Sequence, residues 1–170
     1  MACTSARCAG PCVLEGGSAH MPAPGPARHA DPQLQRVIHL FEGLAPADLP
    51  LLGRTYHEQA RFKDPFNEVQ GLAEVARIFG HMFKTLEQPR FVVIDAVAAG
   101  DDAFLTWDFS FRTRAAAGRA MTIHGASHLR FGADGRVLMH RDYWDAAEEL
   151  YEKLPLVGAL MRWLKRRLAG

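Results

Sequence analysis

Cysteine is scarce in this sequence and poorly placed for a structural role. Cys3, Cys8 and Cys12 all fall within the first dozen residues, so no disulfide can staple a core, and nothing implies an oxidising compartment. Excess charge of one sign is also missing. Twenty Lys and Arg face nineteen Asp and Glu, a formal charge of +1, whereas a dedicated nucleic-acid binder carries a marked positive excess. No apolar run approaches the roughly 20 residues that a bilayer-spanning helix needs. Residues 1–20 lack the basic start and continuous apolar stretch of a signal peptide. These absences point to a cytoplasmic protein that binds no nucleic acid. What remains is ordinary: 170 residues, 48% apolar and 23% charged, enough for one domain with a proper core.

Residues 1–30 are Gly, Pro, Ala and Ser with scattered Cys and no periodicity, and they read as a disordered tail. Order is expected from Asp31-Pro32, a helix cap followed by a first-turn proline. Leu34, Val37, Ile38 and Phe41 repeat at helical spacing up to Gly43. A short second helix fits Pro46–Leu52, a strand Tyr56–Asp64, and a third helix the spacing of Leu72, Val75, Ala76, Phe79, Phe83 and Leu86. After Pro89 the period changes to two. Strands are expected over Phe91–Ala98, Ala103–Arg114, Arg119–Phe131 and Arg136–Trp144, with turns at Asp101-Asp102, Ala115–Gly118 and Asp134-Gly135. Asp145, with Glu148 three residues on, caps a helix. Leu154-Pro155 breaks it, and a last helix runs from about Leu156 to Leu168. Four tightly connected strands must be antiparallel. The expected class is α+β, a curved antiparallel sheet wrapped over N-terminal helices.

Alternation assigns the faces. Leu105, Trp107, Phe109 and Phe111 share one side of their strand. In the next, Met121, Ile123, Gly125, Ser127, Leu129 and Phe131 form the apolar set, leaving Thr122, His124, His128 and Arg130 opposite. In the last strand Leu138, His140, Asp142 and Trp144 face one way and Val137, Met139, Arg141 and Tyr143 the other. Polar groups flanked by Leu and Trp are what a pocket wall looks like, and also what a paired polar core looks like.

The element order resembles the SnoaL-like branch of the nuclear transport factor 2 (NTF2) superfamily, with Phe62-Lys63-Asp64-Pro65-Phe66 closing the first strand and His140-Arg141-Asp142-Tyr143-Trp144-Asp145 closing the last. The likeness spans roughly residues 31–153, with residues 154–170 a helical extension. It implies a cone with a pocket at its wide end and a homodimer formed through the sheet. The superfamily includes ketosteroid isomerases, limonene-epoxide hydrolases, polyketide cyclases and proteins without chemistry. Asp64 matches the general base of the isomerases, a family that also supplies a standard example of tuned carboxyls. Their oxyanion-binding Tyr and acid fall at Val37 and Ser127. Asp142 matches one acid–base member of the epoxide hydrolases, whose Arg and second Asp land at Trp107 and Phe109 and whose Tyr and Asn land at Phe62 and Asp64.

Asp142 and Asp64 are therefore the candidate catalytic carboxylates, with His140 a candidate partner. Each has a bland counterpart: an ion pair of Asp142 with Arg141 or Arg130, and a turn cap for Asp64. Alternate residues on one strand stand too far apart for a short bond between His140 and Asp142 unless the side chains bend. Trp107, Phe109, Ser127, Leu129 and Trp144 are expected to line a pocket for a small apolar ligand, with no cofactor and no metal. His124 and His128 lie opposite, at a dimer face if one forms. The last helix sets Leu156, Val157, Leu160, Leu164 and Leu168 against Arg162, Lys165, Arg166 and Arg167. With Trp163 that pattern also suits a membrane surface. An acid–base enzyme and a non-catalytic carrier both remain open at this level.

Overall fold

The computed structural model describes residues 31–114, 118–153 and 155–168. The tail with Cys3, Cys8 and Cys12, most of the Ala115–Gly118 turn and Leu154 lie outside them. Helix α1 spans Pro32–Gly43, and its first turn is closed by the Asp31 carboxylate, which accepts from the amides of Gln33 and Leu34 at 2.8 and 3.0 Å. Twelve residues make a marginal helix in isolation. Burial of Leu34, Val37, Ile38 and Phe41 against the sheet, about 1.5–3 kcal/mol each, is what holds it. The short second helix is present over Pro46–Arg54 and is of the 3-10 type, because Pro50 has no N–H for an α-helical ladder.

Strand β1 (Tyr56–Lys63) is followed by β2 (Glu68–Gln70), helix α2 (Leu72–Thr85), β3 (Leu86–Ala99), β4 (Asp102–Thr113), β5 (Ala120–Phe131) and β6 (Val137–Tyr143). A one-turn helix α3 (Ala146–Glu149) and a 3-10 turn (Tyr151–Lys153) lead into α4 (Pro155–Leu168). Asp145 caps α3 through the amides of Ala147 and Glu148, at 2.8 and 3.2 Å. The six strands form one curved, unclosed sheet in the order β2-β1-β6-β5-β4-β3. The meander β3–β6 is antiparallel throughout. The seam between β1 and β6 is parallel, which local patterning does not anticipate. The core lies between α1, α2 and the inner face of the sheet.

Three departures from the expected pattern have local causes. β3 begins five residues early and runs through Pro89, which is tolerated because β3 is an edge strand; Gln88 takes φ +51° where the register skips between Glu87 and Arg90. β2 is only three residues long, too short to carry a period. In β6, register irregularities opposite Val137 turn both Val137 and His140 inward and push Leu138 out to 37% exposure. Leu138 is thus removed from the face on which alternation places it.

Candidate functional site

A cavity of about 370 Å³ opens between α2 and the inner face of the sheet. Phe62, Phe79, Phe91, Trp107 and Phe109 make its wall, and Phe66 meets Trp144 edge-on at 5.3 Å among the residues that border it. The polar side chains on the lining include Asp142, Asp64 and Asn67. A shallower depression of about 540 Å³ over Lys63 and Arg141 shares Asp64, Asp142 and Trp144 with it.

Asp142 ends a chain of hydrogen bonds that runs through the core. Its Oδ1 lies 2.7 Å from His140 Nε2 and 2.5 Å from Ser127 Oγ. His140 Nδ1 is 2.7 Å from the Tyr56 hydroxyl, and Trp107 Nε1 donates to Ser127 Oγ at 2.8 Å. The directions follow from the two ends. An indole N–H only donates, so Ser127 accepts from Trp107 and gives its own proton to Asp142. Burial, and then the negative charge of Asp142, push the Tyr56 pKa well above its usual value, so the phenol keeps its proton, and with the ring's own proton on Nε2 facing the carboxylate it donates to His140 Nδ1. The imidazole, accepting there, donates from Nε2 to Asp142. Ser127 and His140 both donate to Oδ1, and Oδ2 receives none of these bonds. His140 is 2% exposed and held between the rings of Phe41, stacked at 5.4 Å, and Phe62, edge-on at 4.9 Å.

The raised Tyr56 pKa makes a prediction about alkaline stability. A folded-state pKa above the unfolded value gives stability that is complete below the unfolded pKa of about 10 and is lost as pH rises towards the folded one. Urea titrations above pH 10 are expected to lose about 1.4 kcal/mol per pH unit more in the native protein than in Tyr56→Phe. Equal slopes would remove the buried, protonated phenol from the account.

Asp64 is built differently. Its Oδ1 accepts from the amides of Phe66 and Asn67 at 2.7 and 2.6 Å, and the Asn67 side chain donates to both of its oxygens at 3.0 Å. The carboxylate borders the cavity, and its hydrogen bonds close the turn between β1 and β2. The ion pairs considered for Asp142 do not form. Arg130 pairs with Asp102 at 3.0 Å, and Arg141 lies over the Tyr143 ring at 4.7 Å.

Among the expected lining residues, Trp107, Phe109 and Trp144 border the cavity, whereas Ser127 and Leu129 do not. Gly125 explains Ser127: with no side chain there, the Trp107 indole lies across β5 and covers the serine. Leu129 is fully buried further along β5, paired with His140. His140 and Asp142, which alternation keeps apart unless their side chains bend, meet at 2.7 Å. Val37 is fully buried in α1. On the outer face, His124 and His128 pair with Asp108 and Asp102 of β4 at 2.6 and 2.7 Å. Sequence reasoning missed Tyr56 and Asn67. Asn67 had a signal in its position three residues after an Asp-Pro turn, but Tyr56 reaches His140 only through the parallel seam.

The curved, unclosed six-stranded sheet with its helices is the NTF2-like fold. A family model for the SnoaL-like domain matches residues 37–140, more than half of the chain. The chain belongs to the SnoaL-like family. Among solved structures it is similar to a hypothetical protein with a ketosteroid isomerase-like fold from Catenulispora acidiphila in complex with trimethylamine, at TM-score 0.62 and 14% identity over 72% of this chain and 92% of that one. An NTF2-like protein of unknown function from Burkholderia pseudomallei superposes at TM-score 0.60, with 20% identity over 68% and 92% of the two chains. An LEH-like epoxide hydrolase from M. tuberculosis superposes at TM-score 0.58, with 11% identity over 78% and 89%. These likenesses concern the fold. No curated protein matches the sequence.

Proposed function

We propose that this protein holds a small apolar molecule in its cavity and moves a proton on it, with Asp142 as the base. The observation that carries this reading is the one-sided bonding of Asp142: Oδ1 is held by His140 and Ser127 while Oδ2 is left over, on a residue that borders an aromatic cavity. A carboxylate fixed through one oxygen presents the other in a constant direction, and the apolar wall reduces the water that competes for it. His140, Ser127, Tyr56 and Trp107 position that group. Suitable chemistry is removal of a proton from carbon beside a carbonyl, followed by its return at another carbon or by bond formation from the resulting enolate. Asp64, occupied by its turn, has no part in the step.

The test uses a bicyclic ten-carbon enone in D₂O, with deuterium incorporation followed by NMR. Exchange above the buffer rate is expected, and Asp142→Asn should slow it by a factor of about 10²–10⁴, the usual contribution of a positioned general base. Undiminished exchange in the variant would sink the reading. A carrier is the second reading, favoured by one observation: Asp64 and Asn67 on the lining bond each other, which takes both away from a bound enolate oxygen. Saturable binding of the enone without exchange selects it.

A further inference from the structure

Helix α4 is attached beside the cavity but turns its apolar side away from the protein. Val157, Leu160, Trp163, Leu164 and Leu168 are 40, 53, 45, 37 and 85% exposed. At 100° per residue, Val157, Leu160, Leu164 and Leu168 fall within an arc of about 80°, flanked on one side by Arg167 and then Trp163. To one side of the arc the contacts are polar: Lys165 reaches Glu148 of α3 at 3.6 Å and Glu152 at 3.4 Å. These ion pairs fasten α4 to the segment on either side of Leu150, itself a cavity-lining residue.

The charge on the helix is as uneven as its apolarity. Its fourteen residues include Arg162, Lys165, Arg166 and Arg167 and no Asp or Glu, although the whole chain is nearly neutral. Arg166 and Arg167 reach no carboxylate among the described residues, and the Arg167 guanidinium stands 4.9 Å over the Trp163 ring. A protein surface that covered this arc would need matching acids close to a hydrophobic groove. An anionic bilayer offers both at once: acyl chains for the leucines, the headgroup level for Trp163, and phosphates for guanidiniums that snorkel outward.

We infer that α4 is a membrane-surface helix that docks this protein onto an anionic bilayer, apolar arc down. Its attachment next to Leu150 brings the cavity's border close to that surface. Docking stands on α4 alone; that the bilayer supplies the cavity's apolar ligand rests on the reading proposed above.

Full-length protein is sedimented with vesicles of phosphatidylcholine containing roughly one-third phosphatidylserine, and with phosphatidylcholine alone, at low and at physiological salt. The protein should pellet with the anionic vesicles, stay in solution with the neutral ones, and bind more weakly as salt rises. Arg166→Gln and Arg167→Gln should each weaken partition about fivefold, the effect of one basic residue near an anionic surface. The exposed positions Leu160 and Leu164 can be changed to Glu without touching the core, and these variants should abolish pelleting. No pelleting by the native chain, or pelleting unchanged by the Leu→Glu variants, overturns the inference. So does a result in which those variants change the sedimentation coefficient of the free protein while vesicles have no effect, since the arc would then cover a second copy. Vesicle binding is read without reference to the cavity, so its failure leaves the proton-transfer reading untouched.

Discussion

His140→Ala is expected to destabilise the protein by about 3–5 kcal/mol, read from the urea midpoint at unchanged slope. Against a total of roughly 5–15 kcal/mol for an ordinary domain, that is a large share. The imidazole is as enclosed as any core side chain, with Phe41, Tyr56 and Phe62 around it. Truncation removes this packing and leaves a hole between rings that cannot close on it. It also strands the Tyr56 hydroxyl, whose one partner among the described residues is His140; an unpaired buried donor alone costs about 1–3 kcal/mol. His140→Phe separates the two effects, because a ring of similar breadth restores the packing but not the bonds. Recovery of about half the loss is expected. A cost below about 1 kcal/mol for His140→Ala would show that the histidine is not the keystone its surroundings imply.

Gly125→Ala should also destabilise, and here the sign is the point. Adding a methyl group to a glycine inside a strand ordinarily helps, by about 0.5–1 kcal/mol, because the unfolded chain loses freedom. At Gly125 the new Cβ would stand 2.3 Å from one carbon of the Trp107 ring and 2.6 Å from the next. The indole is rigid, 4% exposed and bonded to Ser127, so it cannot give way cheaply. Overpacking of this kind costs about 1–3 kcal/mol. Displacing the indole also withdraws the donor behind Ser127, so Asp142 should lose its fixed direction along with the stability. Thermal melts of Gly125→Ala beside Gly43→Ala, where the added carbon meets nothing within 4 Å, are the cleanest comparison. The first should melt lower than the native protein and the second should not.

Much of the fold was legible because its signals are local. The Asp31 cap, the helical spacing from Leu34 to Phe41 and the alternation from Leu105 to Phe111 each describe a face within one element, and each face is buried as the pattern requires. The Asp134-Gly135 turn could be placed for the same reason, since Gly135 takes φ +73°. What stayed hidden depends on partners distant in sequence. Nothing near Tyr56 indicates that it starts a strand running parallel to β6, so its bond to His140 could not be read. Asp142 and His140 were picked out as an odd polar pair on a mixed strand, but the bending that joins them comes from surroundings that close only in three dimensions. Ser127 was misplaced because a glycine two residues earlier decides what covers it. That influence runs between strands and leaves no trace in alternation.

The parallel seam has a consequence for the order in which the molecule comes together. Each antiparallel pair of the meander closes over a short turn, whereas joining Tyr56 to His140 closes 84 residues, which costs about 2 kcal/mol more in chain entropy than closing ten. β1 and β6 therefore have reason to meet late, after the meander between them has formed and brought β6 to where β1 can reach it. Ser127 and His140 can reach Asp142 within the meander, but His140 acquires its Tyr56 partner only at that closure. A chain emerging from the ribosome cannot complete this network piecemeal: until β6 has been synthesised and docked on β1, Tyr56 has no histidine and the ring behind Asp142 is held from one side only. Any chemistry the cavity performs is thereby withheld from partly folded chains.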